Sequence, residues 1–346
     1  MKSPFKSTSE FREQFNKGLY ELAEQAELGP FILACANATS HADLFASMRS
    51  TLEQCYQEIY EHCRHAFMAG RDLDVVDEDL LVFLKLHAIG FEAVKPNEVR
   101  YQGLWQLQFN HLRSFRPRRI TQYVHEGIYT AYDEDDFNFN KPFMAKECFW
   151  KGKLLGRQVD LFYNKYPFAD LHGLLVVDSL DCKAQFLQQT EHEYIFELTK
   201  YLDQTIAGTG FGYNSYGAYA SVNHLHFQMF VDVDGLPVTN QVWKHNGGDR
   251  EYPAECHAFE TVGDAWHFIE QLHQLEQPYN ILYYGGMAYI FPRKTQGTVE
   301  VPEWSSGFTW HELAGGIIMF NYDDYNRLHD TAIESYLSHL KVDELS

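Results

Sequence analysis

Two histidines and a glutamine alternate with apolar residues in the segment that runs from residue 224 to residue 230. In an extended strand, successive side chains point to opposite faces, so His224, His226 and Gln228 are predicted to share one open face. The apolar residues between them are predicted to face the core: Leu225, Phe227 and Met229. An imidazole on such a face can attack phosphorus while its polar neighbours donate hydrogen bonds to the phosphoryl oxygens. A zinc-binding pair and ordinary surface histidines are the alternatives that an H-x-H motif alone leaves open.

Small and hydrogen-bonding residues precede the two histidines. A backbone that approaches a phosphate closely needs a position without a Cβ atom, and Gly217 provides one. The short polar side chains around it are candidate contacts to a phosphate or a nucleoside. The candidates in this stretch are Asn214, Ser215, Gly217, Ser221 and Asn223.

The spacing N-x-x-G-x(6)-H-x-H-x-Q, within the block GYNSYGAYASVNHLHFQ, resembles the GDP-hexose phosphorylases in the transferase branch of the histidine-triad superfamily. The plant GDP-L-galactose and animal GDP-D-glucose enzymes belong to this family. Three further segments support the resemblance, which runs from about residue 104 to about residue 330. They are the N-x-x-P-x(4)-H block from Asn164 through Lys165 to His172, the FNFNK run at residues 137–141, and the segment 110–117 that contains Arg113.

This resemblance implies a nucleotidyltransferase with His226 as its nucleophile. The imidazole would attack the α-phosphorus of a GDP-sugar, release hexose 1-phosphate and form a guanylyl-histidine, which inorganic phosphate then converts to GDP. His226 must be neutral, and a backbone carbonyl near His224 is the expected holder of its other ring nitrogen. Gln228 would hydrogen-bond the phosphoryl oxygens and favour transfer over hydrolysis. Arg113, Asn164, Lys165 and His172 are further candidates for substrate binding, with a structural role favoured for His172.

One departure from the family pattern concerns the strand that follows His172. Relatives continue into Ile-Pro-Arg, whereas this chain has Val176-Val177-Asp178. An acid would then replace a cation that faces phosphate, so the sugar preference does not follow from the motif.

Two alternatives to a GDP-hexose phosphorylase stay open. A dinucleoside polyphosphate phosphorylase, or another nucleotidyltransferase, would use the same chemistry on another substrate. A nucleotide-binding protein without turnover would retain only the pocket. The oligomeric state also stays open.

Composition narrows the class of protein. The 346 residues are 45% hydrophobic and 16% aromatic, which is typical of a folded globule, and the net charge of −20 disfavours nucleic acid as a partner. Arg113, Arg116, Arg118 and Arg119 form a local cationic patch. The six cysteines lack a C-x-x-C pair, which favours reduced thiols in a cytoplasmic protein. No cofactor, structural metal or membrane span is expected from the sequence.

The periodicity predicts an α+β protein with an antiparallel histidine-triad-like sheet. Residues 8–28, 41–69 and 77–91 are predicted to be helices in an N-terminal region, 1–95. The core, 96–235, is predicted to have the order strand, strand, helix, strand, strand. The C-terminal half, 236–346, is predicted to pack on this core and to contain a hairpin from Tyr279 to Phe291, broken by two glycines. Since it lacks an H-x-H motif, we interpret it as a candidate degenerate copy of the first half.

Overall fold

Four helices form the N-terminal region of the computed structural model, which describes residues 3–117 and 127–343. Helix α2 (Leu28–Ala38) lies between two of the helices that the sequence predicted and was not itself predicted. Pro30 lies in the first turn of α2, where a backbone N–H has no partner within the helix. The first N–H that the helix uses is that of Phe31, which donates to the Glu27 carbonyl (2.9 Å). The four helices are α1 (Thr8–Ala23), α2 (Leu28–Ala38), α3 (Ala42–Met68) and α4 (Asp77–Ile89).

An antiparallel sheet of eight strands forms the centre of the molecule. In space the strands follow the order β3-β4-β5-β7-β6-β9-β10-β8. Helix α6 (Gln189–Asp203) precedes β6, and helix α7 (Val262–Gln274) precedes β9. The strands are β3 (Cys148–Leu154), β4 (Arg157–Tyr163), β5 (Asp170–Val177), β6 (Thr209–Asn214), β7 (Phe227–Val231), β8 (His257–Phe259), β9 (Tyr279–Tyr284) and β10 (Met287–Pro292). The α+β class and the antiparallel sheet that the sequence predicted are confirmed.

The two halves of this sheet have the same topology. In the first half, β5 is followed by α6 and by β6 and β7, and β5 pairs with β7. In the second half, β8 is followed by α7 and by the β9–β10 hairpin, and β8 pairs with β10. Antiparallel pairing of β6 with β9 joins the halves. This shared topology is what a degenerate second copy of the first half would have. The division of the chain at residues 95 and 235 stays a prediction.

The edges of the large sheet are short or irregular. Strand β3 forms one edge, and its register shifts between Cys148 and Trp150. Strand β8 forms the other edge and has only three residues.

A second sheet brings the C-terminal residues against the strands that follow the N-terminal helices. It consists of β1 (Glu98–Gln102), β2 (Trp105–Phe109) and β11 (Gly316–Met319), and β11 runs parallel to β2. The remaining helices are α5 (His111–Phe115), α8 (Trp310–Leu313), α9 (Tyr322–Arg327) and α10 (Asp330–His339). No described helix combines the length and the apolar character needed to cross a bilayer.

Both faces of strand β7 are covered. Leu225, Phe227 and Met229 belong to the hydrophobic core that contains the N-terminal helices, as the sequence predicted. On the other face, Phe230 stacks on Trp310 of α8, with ring centroids 5.1 Å apart. A Cβ atom at Gly212 of β6 would overlap the indole of Trp310, so the close approach of α8 to the sheet requires glycine there.

Candidate active site

The two motif histidines lie just before strand β7, which begins at Phe227. The prediction that both lie on the strand is therefore wrong. Their backbone finds its partners in the segment before α6: Leu225 N–H donates to the Lys183 carbonyl (2.8 Å). The Gln185 side chain then binds both backbone groups of His226, accepting from its N–H (3.0 Å) and donating to its carbonyl (3.3 Å). A side-chain amide therefore takes the place of a neighbouring strand.

The ring of His226 has a fixed tautomer. Its Nδ1 lies 2.8 Å from the His224 backbone carbonyl, which can only accept, so the proton must be on Nδ1. Nε2 therefore carries a lone pair, and no described residue hydrogen-bonds to it. The sequence predicted a backbone carbonyl near His224 as the holder of this ring, and the acceptor is the carbonyl of His224 itself.

The ring of His224 has the opposite tautomer. Its Nδ1 accepts a hydrogen bond from the backbone N–H of Phe139 (3.2 Å), and its Nε2 donates to the Ser179 carbonyl (3.1 Å). Burial lowers its pKa. Both ring nitrogens of His224 are thus occupied by the backbone, which suits an orienting residue rather than an attacking one.

Both imidazoles are buried, with His226 7% exposed and His224 1% exposed. The alternation in the sequence had predicted an open face for both. Phe139, from the FNFNK run, closes that face: its ring centroid lies 5.2 Å from that of His226 and 5.6 Å from that of His224. Burial lowers the pKa of His226 to about 4, so the imidazole is neutral at physiological pH.

Gln228 is oriented by a residue that the sequence analysis missed. Trp310 Nε1 donates to Gln228 Oε1 (3.0 Å), and the side chain of Gln228 is half-buried. Because the carbonyl end of the amide accepts from Trp310, the NH₂ end is its donor, and the side chain also interacts with His172.

The candidates between residues 214 and 217 form a tight connection from β6 toward β9. Asn214 Oδ1 accepts from Asn280 Nδ2 (2.7 Å) and from Trp310 N–H (3.0 Å). Ser215 Oγ accepts from Tyr279 N–H (3.0 Å) and is buried. Gly217 has φ +75°, and a Cβ atom there would lie 3.0 Å from Pro278. The side chains of Asn214 and Ser215 therefore hold β6 against β9 and α8.

The candidates at residues 221 and 223 differ in exposure. Ser221 is exposed. Asn223 Oδ1 accepts from Gln185 N–H (3.0 Å), and its Nδ2 donates to the carbonyls of Thr130 (3.2 Å) and Ala131 (2.8 Å). Asn223 thus ties the histidine segment to the loop that precedes Phe139.

The N-x-x-P-x(4)-H block brings Asn164 and His172 together but directs Lys165 elsewhere. Asn164 Nδ2 lies 3.1 Å from His172 Nε2, and Phe168 N–H donates to His172 Nδ1 (3.2 Å). His172 is fully buried, and the structural role favoured for it stays a prediction. Lys165 Nζ forms an ion pair with Asp79 of helix α4 (2.6 Å). The side chain of Lys165 does not contact the other candidate residues. Its role in substrate binding stays a prediction.

Arg113 lies behind His172. Its guanidinium donates to the Tyr166 carbonyl (2.6 Å) and lies 5.1 Å from the ring centroid of Phe168, which in turn contacts His172. Burial lowers its pKa to about 10, partly offset by Glu312, so the side chain is a cation at neutral pH.

Two other members of the cationic patch, Arg118 and Arg119, lie outside the described residues. Asp178, the acid that sets this chain apart from the family pattern described above, is occupied by its own ion pair, because Arg157 Nε donates to its carboxylate (2.7 Å). Within residues 3–117 and 127–343, no group of three or more potential metal ligands occurs.

We expect acid to unfold the protein before it protonates His226. Burial lowers the pKa of His226 and His192 to about 4 and that of His311 to about 3. An unfolded histidine titrates near 6.5, so the folded state binds fewer protons, and the free energy of unfolding falls as the pH drops from about 6.5 toward 4. Each histidine lowers the free energy of unfolding by about 1.4 kcal/mol for every pH unit in this range. The combined loss from the three histidines approaches the total free energy of unfolding of a typical protein, roughly 5–15 kcal/mol.

Melting temperature, near-UV circular dichroism and any enzymatic rate should therefore be measured at the same pH values. The rate should stay level from pH 8 to about 6.5, and its acid limb should coincide with loss of the near-UV signal. A rate that disappears while that signal is still native would contradict this expectation.

Comparison with known proteins covers the part of the chain that contains the site. Residues 102–230 match the family model described as GDPGP1-like, N-terminal domain. The chain is 28% identical over 148 residues to GDP-L-galactose phosphorylase 1 of Arabidopsis thaliana, which covers 38% of this chain and 32% of that protein. It thus spans about a third of the length of this curated relative.

Crystal structures of the yeast Ap4A phosphorylase Apa2 are similar in fold. The structure of Apa2 alone has a TM-score of 0.51 at 14% identity, covering 78% of this chain and 97% of the yeast chain. Its complex with Ap4A has a TM-score of 0.50 at 13% identity, covering 78% and 100%. The motif-based prediction is confirmed for the matched segment: residues 102–230 are similar to the GDP-hexose phosphorylase-like family.

Proposed function

We propose that this chain is a nucleotidyltransferase of the GDP-hexose phosphorylase type, with His226 as its nucleophile. The observation that supports this most directly is the fixed tautomer of His226. Its Nδ1 proton is held by the His224 carbonyl, and burial keeps the ring neutral, so the lone pair of Nε2 is available for attack. The family match over residues 102–230 supports the substrate class.

In the first step, Nε2 of His226 bonds to the α-phosphorus of a GDP-hexose. The bond from that phosphorus to the bridging oxygen breaks, and hexose 1-phosphate leaves with the electron pair. A phosphate leaving group has a pKa near 6 and needs no proton from the enzyme at neutral pH. The amide of Gln228, which cannot donate a proton to the leaving group, is therefore sufficient. A leaving group of higher pKa would need a titratable residue at this position.

The phosphorylated ring of His226 carries a positive charge that the His224 carbonyl stabilises through Nδ1–H. In the second step, an oxygen of inorganic phosphate attacks the same phosphorus. The bond to Nε2 breaks, GDP leaves, and the imidazole returns to its neutral form. Gln228, oriented by Trp310, would donate its NH₂ group to a phosphoryl oxygen in both steps.

The experiment separates the two steps by withholding phosphate. Purified protein given a GDP-hexose should release at most one equivalent of hexose 1-phosphate and retain a guanylyl group on histidine. Addition of phosphate should then give steady production of GDP. GDP-glucose and GDP-L-galactose should react ahead of GDP-mannose, on the basis of the family resemblance.

Two results would redirect the proposal. Reaction with a dinucleoside polyphosphate and with no GDP-hexose would assign the same chemistry to another substrate. Binding of GDP without any adduct or turnover would identify a nucleotide-binding protein.

A further inference from the structure

A cavity of about 550 Å³ is lined by Phe139, the residue whose ring packs on the two histidines. Its volume is within the range of about 300–1,000 Å³ that is typical of small-molecule sites. Its aromatic walls are Phe139 and Phe162, whose ring centroids are 5.3 Å apart. Its polar lining includes Lys151, Gln158, Asp160 and Ser179. We call this space the Phe139 cavity.

Ser179 connects the Phe139 cavity to the nucleophile. Its backbone carbonyl accepts from Nε2 of His224, and its Oγ donates to Asp160 Oδ2 (3.0 Å). The carbonyl of His224 in turn holds His226. Two residues, Ser179 and His224, would thus link a ligand in the cavity to the attacking imidazole of His226.

Asp160 is the buried charged group of this cavity. It is 6% exposed, and both of its partners among the described residues, Ser179 Oγ and Lys151 Nζ (3.4 Å), contact Oδ2. Its other oxygen, Oδ1, accepts no hydrogen bond from any described residue. Because Asp160 lines the cavity, its Oδ1 can accept hydrogen bonds from a ligand that brings N–H groups.

We propose that the Phe139 cavity binds the nucleobase and that Asp160 selects guanine. This rests on the proposed function and names the residue that sets its nucleotide specificity. Guanine presents two adjacent donors, N1–H and the 2-amino group, and a carboxylate accepts from both at once. The flat base packs against this aromatic wall, while Lys151 and Gln158 are donors for O6 and N7.

The same carboxylate disfavours other bases. Adenine presents a lone pair at N1, which the negative charge of Asp160 repels, and it lacks an amino group at position 2. Hypoxanthine keeps N1–H but lacks the 2-amino group, so it makes one of the two hydrogen bonds. The expected order of affinity is therefore GMP, then IMP, then AMP. The loss of one charged hydrogen bond should separate GMP from IMP by roughly 10- to 100-fold.

Asp160→Asn tests the proposal through a gain of binding. The asparagine keeps an acceptor for N1–H but places an NH₂ group opposite the 2-amino group of guanine. Xanthine has an oxygen at that position and would accept from this NH₂ group. Isothermal titration calorimetry of Asp160→Asn should show roughly 10-fold or greater weakening for GMP and tighter binding of xanthosine 5′-monophosphate than in the wild type.

Asp234→Asn is the matched control, because Asp234 is exposed beyond the far end of β7. It should leave the affinity for every nucleotide unchanged. Melting temperatures show whether each variant folds. If Asp160→Asn does not fold, the GMP to IMP ratio of the wild-type protein decides: equal affinities would overturn the proposal. An Asp160→Asn variant that still prefers GMP to xanthosine 5′-monophosphate by the wild-type ratio would also overturn it.

Failure of the nucleobase assignment can be told apart from failure of the proposed function. If the protein forms a nucleotidyl-histidine equally fast from GDP-, ADP- and UDP-hexoses, the chemistry stands and Asp160 does not select the base. If no adduct forms but GMP binds and Asp160→Asn shifts the preference to xanthine, the cavity is assigned correctly and the catalytic proposal fails.

Discussion

His226→Ala is expected to lower phosphate-dependent turnover of GDP-hexoses by about 10⁴-fold or more, because it removes the group that we propose forms the covalent intermediate. The fold should survive, since the backbone of residue 226 is held by the amide of Gln185 and not by the imidazole. Initial rates of GDP release and the yield of guanylyl-histidine measure the effect. Turnover within tenfold of wild type would mean that His226 is not the nucleophile.

His65→Ala is a matched control for this change. Its side chain is 69% exposed on helix α3, so the same substitution removes an imidazole without touching the site. It should have wild-type turnover. His224→Ala should fall between the two variants, because His224 orients the ring that attacks and does not itself bond to phosphorus.

Trp310→Ala is expected to have the largest effect on stability. The indole is fully buried between Phe230 and the glycine at position 212, and truncation leaves a cavity that neither can fill. Truncation of a buried aromatic side chain costs about 3–5 kcal/mol. It also leaves Gln228 Oε1 without its donor. Denaturant unfolding at pH 7.5 measures the change in the free energy of unfolding.

Trp310→Phe separates the packing of the indole from its hydrogen bond. The phenyl ring still covers Gly212 and Phe230, while the N–H that holds Gln228 is absent. We expect a loss of about 1 kcal/mol in stability and a several-fold fall in kcat, because the amide of Gln228 can then rotate away from the phosphoryl group. Equal destabilisation by alanine and phenylalanine would contradict the packing role of the indole.

Local patterns in the sequence predicted much of the fold. The alternation at residues 224–230 identified the core face of β7, and two glycines located the β9–β10 hairpin. Helices α3 and α4 begin and end within two residues of their predicted bounds. The family motif directed attention to the two imidazoles, and the structure places the carbonyl of His224 where a holder for His226 was expected.

Contacts between distant residues were not predictable in this way. Gln185 has no motif around it, yet its side chain pairs with the backbone of His226 across 41 residues. Trp310 lies 82 residues after Gln228 and beyond the matched segment, and only the folded chain brings the two together. Exposure was also mispredicted, because alternation shows which side chains share a face but not that Phe139 covers that face.

The irregular edges of the eight-stranded sheet bear on how copies of this chain can associate. An unpaired edge strand invites another chain to add to it, which leads to open-ended aggregation. At the β3 edge, the register shift interrupts the pattern of free backbone groups, and the exposed Lys151 and Lys153 repel a second copy of the same edge. The opposite edge offers the three residues of β8. Strand addition is therefore disfavoured at both ends of the sheet, and we expect copies of this chain that associate to do so through helical or loop surfaces.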